Sequence, residues 1–360
     1  MLHVVPIEPL EERYSKQWYE WTRKHLEDHE IEHVFINPES YKKIETGRFL
    51  DVYGTNIYKN KQLEIILGLF RDGLVQDGDV FWFHDLWFPG LEMLFYLRDA
   101  LKIDFKIYGC LHAGTYDIND YLSQCGMDKW GEDLENAWLA GVDGVFVATQ
   151  YHAGLLFQKR KIKAEKLHVT GFPFYPRDFM RDRVLNVESS YMRNRIDKEG
   201  GSITIVFPHR LDAEKNPQMF DELAKVLNAD LSLKNYQFEF IKTKKICNSK
   251  EEYYDLLSTA DIAVSFAYQE TWGIAMQEAT VLGCIPVVPL RLSYMEMYSP
   301  GGKSSLFFDG SVEHCAEVIK DILRNPQVYN KLRFESALRF ESNGASALSN
   351  MLYFMGWRTF

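Results

Sequence analysis

DIAVSFAYQETWGIAMQEATVLGCIPVVPL, residues 261–290, is the stretch on which the fold turns. Asp261 to Phe266 is a short apolar run bounded by polar residues, the mark of a buried strand. Gln269, Glu270 and Thr271 form a polar loop. Gly273 to Leu282 reads as a helix, with Gly283 as its left-handed stop. Ile285 to Val288 is a second buried strand, kept short by Pro286 and Pro289. A strand, helix and strand of this length make a parallel crossover. Open parallel sheets bind ligands beyond the carboxyl ends of their strands. Glu270 and Gly273 lie there, and Glu278 follows within the helix.

Upstream, Ser202–Phe207 is a β-branched strand that runs into PHRLDAEKNP and a helix from Pro217 to about Leu227. Pro217 suits the first helical position, and Asn216 is expected to cap it. Arg210 and Lys215 are then held in one loop near a helix N-terminus, an arrangement that binds phosphate without a Walker motif. Surface loops also carry such pairs without any ligand. Tyr236–Ile241 reads as a strand and Glu251–Leu257 as a helix. Downstream come a strand at Leu306–Phe308, a helix at Val312–Leu323 and two apolar-rich helices in Pro326 to Phe360.

The first half alternates in the same way. Strands are expected at Leu2–Ile7, His33–Ile36, Asp79–Phe83, Phe105–Gly109 and Gly144–Ala148. Helices are expected at Glu11 to Glu27, Leu63–Phe70, Leu91–Leu101, Glu132–Ala140 and Tyr151–Lys161. This alternation predicts a doubly wound parallel sheet. His84 and Asp85 interrupt the apolar VFWFHDLWFPG, and His112 ends its strand with Asp117 just beyond. A histidine at a strand's carboxyl end is placed to contact or deprotonate a substrate hydroxyl. It serves equally well as a structural histidine bonded to loop backbone. The first strand is followed by PIEPLEERYS, without the glycine-rich turn of dinucleotide folds. The first domain therefore suits the acceptor of a reaction better than a dinucleotide.

The chain's 360 residues hold two α/β domains. The expected division is an acceptor-side domain over 1–172, a connector over 173–200, a second, ligand-binding domain over 201–335, and helices over 336–360 packing back on the first domain. The net charge of -10 argues against an all-basic surface but allows a local basic groove. Lys159, Arg160, Lys161, Lys163 and Lys166, continued by Arg177, Arg181, Arg183, Arg193 and Arg195, form either a polyanion track or a solvated face balanced by nearby acids. Cys110, Cys125, Cys247, Cys284 and Cys315 are scattered without metal spacing, as in a reduced cytosolic protein. MLHVVPIEP lacks the features of a signal peptide, and no run has the length of a membrane span. Cytoplasmic residence is expected, in the host cell if the source is a virus.

The order RLDAEKN, then YYDLLSTADIAVSFAYQETWGIAMQEATVLGCIPVV, resembles the retaining GT-B glycosyltransferases, which use nucleotide sugars. The matching elements are Arg210 and Lys215, Glu270 and Glu278 separated by seven residues, and Gly273, Gly283 and Pro286. His112 is placed like the family's acceptor-side histidine. The missing glycine-rich first loop is a departure from many members. The resemblance implies two Rossmann-like domains facing across a cleft. It implies that Arg210 and Lys215 bind the donor pyrophosphate, Glu278 the ribose and Glu270 the transferred sugar. Thr271, Gly273 and Ile274 would complete the donor site, and His84, Asp85, His112 and Asp117 the acceptor side. His112, Glu270, Arg210 and Lys215 would act in catalysis. The nucleotide sugar, UDP-linked or otherwise, is a co-substrate, with no obligatory metal and no other cofactor.

Cleaving a glycosyl–phosphate bond leaves negative charge on the pyrophosphate, which fixed cations and helix N-termini stabilise. A glycosidase instead needs two carboxylates about 5–9 Å apart across the sugar. Glu270 and Glu278, eight residues apart, would lie about 12 Å apart along a helix. They read as two grips on one long ligand, and retention through a short-lived oxocarbenium–phosphate ion pair is expected. Trp82, Trp87, Phe88, Tyr116 and Tyr121 beside basic stretches suit stacking on a nucleic-acid base. There is a weaker resemblance to viral glycosyltransferases that modify hydroxymethylated pyrimidines in DNA. A DNA acceptor is therefore the first expectation, a saccharide or small molecule the second. A non-catalytic nucleotide-sugar-binding module is the alternative of another class.

Overall fold

The computed structural model describes residues 1–11, 13–40, 51–180, 196, 201–299 and 305–358. The chain divides into two units, Met1–Pro173 with Ser346–Phe360, and Phe174–Ala345. Both are α/β units built on a wholly parallel sheet.

In the first unit six strands run β1 (Leu2–Val5), β2 (His33–Phe35), β3 (Val80–Phe83), β4 (Lys106–Cys110), β5 (Gly144–Val147) and β6 (Leu167–Val169). Their order in the sheet is β2-β1-β3-β4-β5-β6. LHVV, VFWF and GVFV are buried at every position. Helices cover both faces of such a sheet, so its inner strands are apolar throughout rather than alternating. Strand β6 is half-buried throughout, which explains why its three residues escape a search for apolar runs. The helix expected at Leu63–Phe70 extends over Val52–Arg71, because the Asp51 side chain accepts the Tyr53 and Gly54 N–H groups and starts it early.

The second unit has β7 (Gly201–Phe207), β8 (Tyr236–Lys242), β9 (Ile262–Val264), β10 (Ile285–Pro289) and β11 (Phe307–Phe308), ordered β11-β10-β9-β7-β8. Strand β10 tolerates two prolines because its neighbours use alternate N–H groups. Ile285 donates to Asp261, while Val288 and Leu290 donate to Leu306 and Phe308. Pro286 falls on the side of β11, which pairs only with Val288 and Pro289.

Three expectations change. Asn216 adopts a left-handed conformation (φ 56°) and makes no side-chain cap, so the helix at Pro217–Ala229 starts on the proline alone. The tail is one helix, Pro326–Phe354, rather than two. Gly344 lies within that helix because a Cβ there would stand 2.3 Å from the Phe174 carbonyl oxygen. Phe174, Phe179, Met180 and Ile196 belong to the core of the second unit, so the described part of the expected connector is packed structure. Arg181, Arg183, Arg193 and Arg195 lie outside the described residues. Among the described residues, no helix is long and apolar enough to cross a membrane.

Candidate functional site

In each sheet the chain reverses its direction of growth once. The reversal falls between β7 and β9 in the second unit and between β1 and β3 in the first. The crevice at the strand carboxyl ends beside such a reversal is where doubly wound sheets bind ligands. The sequence-predicted donor residues gather at the reversal of the second unit.

Strand β7 delivers His209 and Arg210, and one turn of 3-10 helix, Ala213–Lys215, turns Lys215 inward. Lys215 is buried. Its ammonium donates to the Gln269 carbonyl at 2.5 Å, to Gln269 Oε1 at 3.2 Å and to Glu270 Oε2 at 3.4 Å. Tyr268 N–H donates to the Glu214 carbonyl at 2.8 Å and ties the β9 loop to the β7 loop. Arg210 is half-buried and bonded to Glu214 at 2.8 Å, with Asp212 at 3.6 Å.

Glu270 turns its other oxygen to the chain ahead. Oε1 accepts the Gly273 N–H at 2.8 Å and the Trp272 N–H at 3.4 Å. Burial would raise its pKa, but the Lys215 charge, the nearby His209 and these two N–H groups together hold it below the ordinary value. Gly273 is left-handed (φ 65°) and starts the helix Ile274–Val281. A Cβ there would meet the Met297 methyl at 2.9 Å. Among the described residues the N–H groups of Ile274 and Ala275 have no acceptor, so this helix start is open to an anion. Thr271 is buried in the same loop.

Glu278 occupies a separate network. Its Oε1 accepts from Lys250 at 2.6 Å and from the Tyr254 hydroxyl at 2.9 Å. Lys250 also lies over the rings of Tyr253 and Tyr254, at 5.1 and 4.9 Å. The helical measure of the Glu270–Glu278 distance does not apply, because Glu270 precedes the helix and Gly273 breaks the path between them. Their distinct partners are what separates them.

His209 is a residue that sequence reasoning missed. It is buried, with Nε2 unpartnered among the described residues, and burial, aided by Lys215, lowers its pKa to about 3. The imidazole is therefore neutral at physiological pH. Its position directly after an apolar strand and before Arg210 was the available signal. Lys250 had none, because 28 residues separate it from Glu278.

The first unit sorts the acceptor-side candidates differently. His112 Nε2 lies 2.7 Å from the His84 carbonyl, so Nε2 carries the proton and donates, leaving Nδ1 to face the Tyr14 hydroxyl at 3.4 Å. The structural role open to this histidine is thus present. Its pKa is lowered, chiefly by burial. His84 packs between Trp18 and Trp82, at 5.3 and 4.7 Å, and burial lowers its pKa to about 3. That surrounding makes it a core side chain, not a group facing a crevice. Asp85 bonds Lys59 at 3.1 Å and the Trp87 N–H at 3.1 Å. Asp117 accepts the Asn119 N–H at 2.9 Å within its own loop.

The basic cluster is also divided. Arg160 is buried against Glu135 at 2.7 Å, and Lys166 donates to the carbonyls of Ala140 and Val142 at 2.8 and 2.6 Å. Arg177 pairs with Glu341. Lys159, Lys161, Lys163 and Arg177 are the exposed members among the described residues. Trp82, Phe88 and Tyr116 are buried core residues, which removes three of the five aromatics expected to stack on a base.

Comparison with known proteins bears on the fold and on part of the second unit. Residues 241–344 match the family described as glycosyl transferases group 1. A Drosophila melanogaster tRNA-queuosine alpha-mannosyltransferase is 31% identical over 170 residues, covering 42% of this chain and 44% of that protein. The match thus spans less than half the length of that relative. Sucrose-phosphate synthase from Thermosynechococcus elongatus superposes with a TM-score of 0.65 at 14% identity, over 98% of both chains. The Anabaena HepE protein, solved with UDP and glucose, gives 0.59 at 10% identity, again over 98% of both. The chain has the GT-B fold of two Rossmann-like parallel-sheet units, and its residues 241–344 are similar to the group 1 glycosyl transferases.

Proposed function

We propose that the protein is a retaining glycosyltransferase that moves a hexose from a nucleotide-diphosphate sugar to a hydroxyl of an RNA nucleoside. The observation that carries this reading is the knot of Lys215, Glu270 and the Gly273 N–H at the β7/β9 reversal, with Arg210 in the same loop. Arg210, Lys215 and the open N–H groups of Ile274 and Ala275 would hold the pyrophosphate. They would stabilise the charge that develops as the sugar–phosphate bond breaks, without a metal. Glu270, kept ionised, would accept hydrogen bonds from the sugar hydroxyls, and Glu278 from the ribose.

The acceptor hydroxyl would attack from the face the nucleotide leaves, giving its proton to the departing phosphate. His112 has already committed Nε2–H to a carbonyl, so a part for it in accepting that proton would fall to Nδ1. The Drosophila melanogaster relative acts, by its name, on tRNA, which favours RNA over DNA as the nucleic-acid acceptor. Its name also favours mannose as the sugar. The test is to incubate the protein with GDP-mannose, UDP-glucose and tRNA with or without queuosine, and to read the product by mass and by anomeric NMR. An added hexose of retained configuration is expected. Inversion would defeat the mechanism. Nucleotide-sugar binding without transfer to any acceptor would make this a binding module.

A further inference from the structure

The reversal point of the first unit holds a cavity of its own. It has a volume of about 60 Å³ and lies where the chain leaves β1 and β3. A water needs about 10–15 Å³ by this measure, so the space exceeds one water several-fold. Apolar surface makes up most of its lining, and set into it are the charged and hydroxylated side chains of Glu8, Arg13, Thr55, Tyr58, Lys59 and Asp85. Lys59 and Asp85 form an ion pair at 3.1 Å, with side chains 14% and 24% exposed. Lys59 also donates to the Trp87 carbonyl. Tyr58 is buried and gives its hydroxyl proton to Asn37 at 2.6 Å. Gln62 bonds the carbonyls of Pro6 and Ile36, both at 2.9 Å, and so fixes the ends of β1 and β2 around the space. The guanidinium of Arg13 is half-buried at the cavity and has no anionic partner among the described residues.

We infer that this cavity is the acceptor subsite, and that it takes the hydroxyl-bearing ring of the acceptor nucleoside. The inference rests on the glycosyl-transfer reading above. Vicinal hydroxyls are both donors and acceptors. A desolvated ammonium–carboxylate pair offers them a donor and an acceptor side by side, which an apolar pocket does not. Arg13, without an anionic partner among the described residues, takes a phosphate of the same RNA strand, for which its planar fork is suited. The site is therefore built from Lys59, Asp85 and Arg13, rather than from His84 and Asp117.

The test uses the full chain with GDP-mannose, queuosine-containing tRNA and free queuosine nucleoside. Lys59→Met and Asp85→Asn should raise the KM for both acceptors about 10-fold or more, the scale expected for a lost charge-assisted hydrogen bond. Calorimetric binding of GDP, a probe of the second unit, should stay unchanged, and an unaltered circular dichroism spectrum and thermal midpoint certify that the first unit is folded. Arg13→Gln should raise the KM for tRNA, lower its salt slope by about 1 and leave the free nucleoside unaffected. Thr55→Phe, which fills the cavity without altering the ion pair, should repeat the loss. Should a variant not fold, Thr55→Phe and Arg13→Gln still decide. Unchanged acceptor KM in active variants would overturn the inference and leave the cavity a hydrated void. If the wild type transfers to no acceptor, the function reading fails. Direct binding of queuosine nucleoside by wild type and Lys59→Met then decides the subsite separately, and equal affinities, or no binding by either, overturn it.

Discussion

At Lys215 and Glu270 a single ion pair bears on stability and, on the proposed function, on donor binding. Lys215→Met leaves the part-buried Glu270 carboxylate without its cation. Removing one partner of a buried pair costs about 3–5 kcal/mol, and losing a donor aimed at developing charge costs about 10²–10³ in kcat. Both should appear, the first as a lowered melting temperature and the second in steady-state rates. The sign of the pH dependence follows from the depressed pKa of Glu270. The pair's contribution is full above the unfolded carboxylate value of about 4.3. It is lost as pH falls below that value through the folded one. Glu278→Gln keeps the shape of the side chain but weakens its bonds to Lys250 and Tyr254 and, on the proposed function, to the ribose. An increase in donor KM of about 10–100-fold is expected, and an unchanged KM would remove Glu278 from the donor site.

Among the elements, the helix at Ile274–Val281 depends on how it starts. Its first residues follow a left-handed glycine whose N–H holds Glu270. Gly273→Ala would place a Cβ against Met297 and force a β-carbon into that conformation, at a cost of about 1–2 kcal/mol for the backbone alone. Differential scanning calorimetry should show this as a lower midpoint, together with weaker nucleotide binding as the open N–H groups shift. The helix at Pro326–Phe354 depends on an interior glycine in another way. At Gly344 the obstacle is a backbone carbonyl, that of Phe174, which cannot rotate aside. Gly344→Ala should cost about 1–3 kcal/mol or more as overpacking, although alanine is the better helix former. A stabilised variant would show that the helix does not approach Phe174.

For the whole molecule, buried neutral histidines set the acid limit. His84, His152 and His209 all have pKa values lowered to about 3, with burial the leading cause. Unfolded, each titrates near 6.5. Between about 3 and 6.5 the unfolded chain therefore binds more protons. Stability is full above 6.5 and falls as pH drops, by up to about 1.4 kcal/mol per unit for each histidine. The thermal midpoint should be level from pH 7 to 8 and fall clearly from 6.5 to 5. A level midpoint down to pH 5 would mean that these side chains reach solvent.

The parallel two-unit architecture and the candidate donor residues were legible because their signals are local. Apolar runs alternating with helical periods define βαβ units. Arg210, Lys215, Glu270, Gly273 and Glu278 stand at the carboxyl ends of those strands or in the helix that follows. A ligand site beside the β7/β9 reversal follows from connectivity that the chain order nearly dictates. What the sequence could not decide involves partners far apart along the chain. Lys250 meets Glu278 across 28 residues, Lys59 meets Asp85 across 26 and Arg160 meets Glu135 across 25. Burial decided the remainder. It turned His84 into a core residue, removed Arg160 from a supposed basic track and kept Gly344 inside one continuous helix. Residue type and spacing determined which groups could carry the chemistry. Only the tertiary packing decided which of them are desolvated, paired or left open to a ligand, because those properties depend on neighbours contributed by other elements.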